Sequence, residues 1–236
     1  MITDIKAQVA QVTPVVVGEG DMGYAKMTKL GAMFSADWRT QLLLAGLVYQ
    51  ARVGTITAGA DPVGVVGGGN GTTIDSDQPE LVIGVDAGYY LIPIDARVAV
   101  QSDCDADAEL TEIVLFADRT NAPVTATEAA SGTVTTPVNM LDGGAAFPGR
   151  CYTGCTADIT DPVTSQILDY VTFLLQSVNT TGMVPAPIIR MDYKPDVPTI
   201  LAGPCQLILC WGGTAASKGI GIVTVAAVPS SYFPVS

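Results

Sequence analysis

Histidine is absent from this 236-residue chain. Its absence removes the usual general base near neutral pH, and with it every Ser-His or Cys-His nucleophile pair. Charge is also scarce. Lysine and arginine number 11 and aspartate and glutamate 23, so charged residues make up 14% of the chain, against a usual fraction of about 25%. A free monomer so poor in charge exposes much neutral and apolar area, which marks surface that another chain covers. The expectation is an obligate assembly. The net charge of −12 and the lack of any cluster of basic residues argue against nucleic acid as a partner, because phosphate neutralisation needs grouped Lys and Arg.

Long apolar runs are missing too. "LLLAGLV", Leu42 to Val48, is far too short to cross a bilayer, and "MITDIKAQVAQV" lacks the basic and apolar segments of a secretory signal, so no membrane partner is expected. Five cysteines, an odd number in a chain long enough to need no staples, indicate reduced thiols and assembly in a cytoplasm. Aromatic residues are only 6%, which leaves few platforms for stacking sugars. Together with the missing histidine, this makes a non-enzyme the expectation; a carboxylate-dependent glycosidase is the surviving catalytic rival.

What is present is β texture: short runs of Val, Ile, Thr and Ala broken by Gly, Pro, Asn and Asp. Strands are predicted at 50–58, 80–86, 89–100, 110–117, 133–140, 167–177, 187–193, 205–211 and 220–228. No helical pattern recurs between them, which disfavours a parallel α/β sheet. The predicted fold is all-β: a jelly-roll-like antiparallel β-sandwich over residues 50–236, preceded by an N-terminal arm, 1–49, with short helical segments. Ile2, Ile5, Val9 and Val12 recur at spacings of three and four, which suits an amphipathic helix. Ser35 is placed to cap a second turn through Trp38 and Leu42.

In "CQLILCW" a strand puts Cys205, Leu207, Leu209 and Trp211 on one face and Gln206, Ile208 and Cys210 on the other. The two thiols then diverge and cannot share a zinc ion, so both are read as small buried apolar residues. The "CYTGC" pair, Cys151 and Cys155, is a weak redox candidate beside Arg150. "GVVGGGNGTT", from Gly64, lacks the Lys-Ser or Lys-Thr of a phosphate loop and reads as a connection. In "DCDADAE", Asp103, Asp105 and Asp107 stand at alternate positions, as in the start of a calcium loop, but without its glycine or its distal glutamate. They are the candidate cation ligands, calcium being the only cofactor considered. The last strand is apolar on both faces and needs a second covering layer, from a loop, the arm or a neighbouring protomer.

"PDVPTILAGPCQLILCWGG" and "KGIGIVTVAAVPSSYF", with "LVIGVDAGYYLIPIDARVAVQSD" and "DYVTFLLQSV" before them, resemble the strands of single jelly-roll structural proteins of virus particles, among them the cement, decoration and minor capsid proteins of tailed phages. The resemblance implies a capsid protein of a virion, assembled in a host cytoplasm. Its partners would be copies of itself, as a trimer, and a major capsid protein or other virion proteins. Tyr24, Phe34 and Trp38 are the candidate interface anchors near the arm. Two further readings stay open: a major capsid protein of jelly-roll type, and an adhesin-like module that binds carbohydrate or calcium.

Overall fold

The computed structural model describes residues 7–9, 25–27, 37–63, 74–102, 109–121, 131–159, 162, 165–175, 188–213 and 216–232. Period-two alternation organises most of them. Along Cys205–Gly212, for example, Cys205, Leu207, Leu209 and Trp211 enter the main core while Ile208 and Cys210 enter a second cluster on the opposite face. The thiols of Cys205 and Cys210 therefore diverge, as the sequence predicts.

Fourteen strands are described: β1 (Ala7–Val9), β2 (Ala25–Met27), β3 (Val48–Val53), β4 (Leu81–Val85), β5 (Tyr89–Ser102), β6 (Glu109–Asp118), β7 (Thr133–Val134), β8 (Val138–Asn139), β9 (Arg150–Thr153), β10 (Ser165–Leu175), β11 (Ile188–Tyr193), β12 (Leu201–Ala202), β13 (Cys205–Gly212) and β14 (Ala216–Pro229). β3 to β14 form an antiparallel sandwich, and β1 and β2 make a separate two-stranded sheet. The first sheet runs β10-β6-β13-β4-β9-β7 and the second runs β11-β5-β14-β3-β8, with β12 also on β5. Between them lies a core that includes Leu81, Ile83, Leu91, Ile113, Leu115, Leu207, Leu209, Trp211, Val223 and Val225.

Each sheet is covered again on its outside. Over the first, Ile74, Cys155 and Ile159 close on Val82, Phe116, Ile208 and Cys210, held by backbone bonds from Cys155 N to Pro79 O (3.0 Å) and Ile159 N to Asp77 O (2.7 Å). Over part of the second, helix α1 (Trp38–Leu44) sets Trp38, Leu42 and Leu43 against Val48, Ile92, Ile94, Ala226 and Val228. The second layer required by the doubly apolar last strand is thus supplied in part by the chain's own N-terminal region.

Four expectations change. Val9 belongs to a strand, β1, which pairs in parallel with β2, so the helical arm is not formed there; Ile2, Ile5 and Val12 lie outside the described residues. The cap of α1 is Asp37, whose carboxylate accepts from Thr40 N at 2.8 Å; Ser35 lies outside the described residues. The strand predicted at 50–58 stops at Val53 because Gly54 turns the chain at φ 75°, where a Cβ would stand 2.6 Å from Gly219 O. The strand predicted at 133–140 splits into β7 and β8 in different sheets. Pro137, which has no N–H for a ladder, stands between them.

Candidate functional site

Among the described residues, three carboxylates are buried on the outer side of the first sheet or beside it, and each is held by a donor. Glu80 accepts from Trp211 N at 2.8 Å through one oxygen and from Val63 N at 2.9 Å through the other. Asp118 accepts from Thr120 N (2.9 Å), Thr120 Oγ1 (2.8 Å), Asn121 Nδ2 (2.8 Å) and Gln206 Nε2 (3.2 Å). Glu112 accepts from the Tyr170 hydroxyl. Carboxylates held by fixed donors in this way position strands and loops.

The thiols among the described residues are buried as well. Cys151, Cys155, Cys205 and Cys210 are free and buried. Burial pushes Cys151 up to about 12, with a smaller contribution from Cys155, and burial likewise pushes Cys205 up to about 12. Cys210 is raised well above its ordinary value by burial and then by the fields of Glu80, Asp75 and Cys155. Nucleophilic or metal-binding cysteines need the opposite shift. Cys151 and Cys155 also point into different clusters, which removes the geometric basis of a redox pair.

One group of potential metal ligands is found among the described residues: Asp75, Asp77 and Asp158, whose carboxylate oxygens lie within 4.8 Å of one another. The segments that carry them pack over the first sheet's outer face. Hard oxygen donors in this arrangement suit calcium, which takes six to eight oxygens, so the trio offers part of a shell. The sequence shows Asp75 and Asp77 as neighbours, but Asp158 arrives only through the pairing of β4 with β9. Asp103, Asp105 and Asp107 lie outside the described residues, as do Tyr24 and Phe34. Trp38 is half-buried against its own chain, with the Arg39 guanidinium 4.8 Å from its ring centroid.

The second sheet's outer face differs in chemistry. Beyond the part covered by α1 it presents Arg52, Arg97 and Arg190, all exposed. Their strand neighbours Ala51, Val53, Val98, Ile189 and Met191 point into the core. Arg97 pairs with Asp95 at 3.0 Å and reaches Asp192 at 3.8 Å. A shallow groove of about 430 Å³, lined by Ala99, Gln101, Ile188, Lys218 and Ile220, opens on the same face. Each arginine occupies an outward position in its strand, so alternation alone would have placed all three together once the strand order was known.

No family model, curated protein or solved structure matches the chain. Its chemistry must be read from its own residues.

Proposed function

We propose that this protein is a structural subunit of a virus particle: a jelly-roll domain that assembles with copies of itself and stabilises a capsid shell as a cement, decoration or minor capsid protein. The observation that carries the reading is the nested pairing of eight strands. Taken in chain order, β3, β4, β5 and β6 pair with β14, β13, β11 and β10 respectively. This is a long hairpin of four strand pairs. Wrapping it sets β14 beside β5 and β13 beside β6, so that these eight strands supply four of the strands in each six-stranded sheet, an arrangement consistent with a jelly roll.

Fold alone does not assign function. The structural role is supported by the chemistry around it: no histidine, buried thiols held protonated, and buried carboxylates held by hydrogen bonds. Exposed aliphatic side chains add to it, with Ile56, Val134, Val138 and Val197 all more than 65% accessible. Side chains of that kind are available to neighbouring subunits in an assembly. The alternative of a calcium-binding sandwich module draws on the Asp75, Asp77 and Asp158 trio.

Light scattering after gel filtration, with and without a calcium chelator, tests the proposal. A trimer or larger assembly that is indifferent to chelation and co-sediments with capsid shells is the expected result. A monomer whose melting temperature falls on chelation would replace it with the binding module.

A further inference from the structure

We infer that the uncovered half of the second sheet's outer face is a two-fold contact between copies of this chain, closed by reciprocal ion pairs between Arg52 of one copy and Asp192 of the other. The inference rests on the reading of the chain as a subunit of an assembly. It starts from one row of side chains. Ile222 on β14 stands opposite Arg52 on β3 and Arg97 on β5, and Arg97 stands opposite Asp192 on β11. The row therefore reads Arg52, Ile222, Arg97, Asp192 across four adjacent strands, with a cation at one end and an anion at the other.

Both ends are available. Arg52 has no ion-pair partner among the described residues. The Asp192 side chain is 76% accessible, and its nearest cation, Arg97 Nε, is 3.8 Å away. Strands lie about 4.8 Å apart, so Arg52 and Asp192 of one copy are separated by about 14 Å and cannot neutralise each other. A two-fold axis that lies between two such faces, parallel to the strands and midway between β14 and β5, reverses the strand order of the second copy. Arg52 then faces Asp192 twice, and Ile222 meets the aliphatic stem of Arg97 in the centre. An axis across the strands would instead set Arg52 on Arg52. Charge selects the first axis; the contact is isologous and closes at two copies, so it is separate from any threefold contact and joins trimers in pairs.

Ile188, 58% accessible, and the half-buried Ile220 add apolar area on the same face. Ile220 and Ile222 on β14 lie near the axis, Ile188 lies on the edge strand β11, and the charged ends Arg52 and Asp192 flank them, so apolar area is flanked by charge as in a specific interface.

The test is charge reversal, read by sedimentation equilibrium at low salt on the full chain. Arg52→Glu and Asp192→Arg should each weaken self-association at least tenfold, since every contact then carries two like-charged pairs. An equimolar mixture of the two variants should restore it: the introduced glutamate of one then faces the introduced arginine of the other, while the second pair is native. Raising sodium chloride to about 0.5 M should weaken the wild-type contact. Unchanged melting temperatures in both exposed-site variants would separate docking from folding. A wild-type oligomer whose mass is the same in either variant, or a mixture that fails to recover, overturns the contact and leaves the assembly reading standing. A wild-type protein that stays monomeric at every concentration overturns both.

Discussion

The indole of Trp211 lies against the backbone of Gly219: a Cβ at residue 219 would stand 2.7 Å from Cε2 of the ring and 2.8 Å from Cζ2. Trp211 is on β13 and Gly219 on β14, so the contact spans the two sheets where the largest core side chain needs the most room. Gly219→Ala should therefore destabilise the protein. Overpacking costs about 1–3 kcal/mol, while the loss of a glycine's freedom in the unfolded chain returns only about 0.4–1 kcal/mol. Urea denaturation checks this, and the penalty should shrink when Trp211 is also replaced by Leu. An equal penalty in both backgrounds would place the strain elsewhere.

The buried thiols predict an alkaline limb of instability. Cys151 and Cys205 are pushed up to about 12 in the folded state by burial and titrate near 9 when exposed. The folded protein thus holds a proton that the unfolded chain releases. Their contribution is complete below pH 9 and is lost as the pH rises from 9 towards 12. Each thiol adds a slope of about 1.4 kcal/mol per pH unit in that window. Cys151→Ala should flatten the fall in urea midpoint between about pH 9 and pH 10.5. Parallel limbs for variant and wild type would show that these thiols are not the groups responsible.

Much of this fold is legible in the sequence, because strand alternation is a local property. The split of Cys205 from Cys210, the two-faced burial of β13 and the bounds of β4 and β11 all follow from side-chain order and turn residues. Where the sequence misleads, a local rule is overridden by something distant. Val9 fits a helical spacing, yet β1 forms because β2, well separated from it in the chain, supplies a partner. β9 carries Cys151, the first of the eye-catching "CYTGC" cysteines, whose spacing suggests chemistry; the pairing that makes it a strand is with β4, far earlier in the chain. The arginine face and the aspartate trio belong to the same class. Each is assembled from separate segments, and no single window of sequence contains it.

The aspartate trio gives a prediction with two signs. Three carboxylates with oxygens inside 4.8 Å repel one another unless a cation or a donor intervenes, and Gln78 supplies one donor, to Asp158 at 2.7 Å. In a chelator, Asp77→Asn should melt at or slightly above the wild type, since one like charge is gone. In calcium at about ten times a site's dissociation constant, the wild type should gain about 1.4 kcal/mol that the variant lacks. Differential scanning calorimetry in both buffers decides the matter: melting temperatures that ignore calcium would make the trio an ordinary solvated acidic loop.

Helix α1 marks where the sandwich begins in practice. Val48 and Tyr49 lie before the boundary drawn from sequence at residue 50, and both are buried. Trp38, Leu42 and Leu43 cover Ile92, Ile94, Ala226 and Val228, and Arg39 donates from Nη2 to the carbonyl of Pro195, tying the helix to the chain after β11. A chain starting at residue 50 exposes that cluster and loses the first two residues of β3. Half-burying three large apolar side chains contributes about 2–4.5 kcal/mol, a large share of the roughly 5–15 kcal/mol that holds a domain together. A chain starting at Asp37 keeps the cap, the helix and the cluster. The shorter chain should bind a hydrophobic dye and melt well below the full protein, whereas the chain starting at Asp37 should melt within a few degrees of it. Equal melting of all three would mean that α1 rides on the sheet without stabilising it, and would free Trp38 and Leu42 to serve a neighbouring subunit.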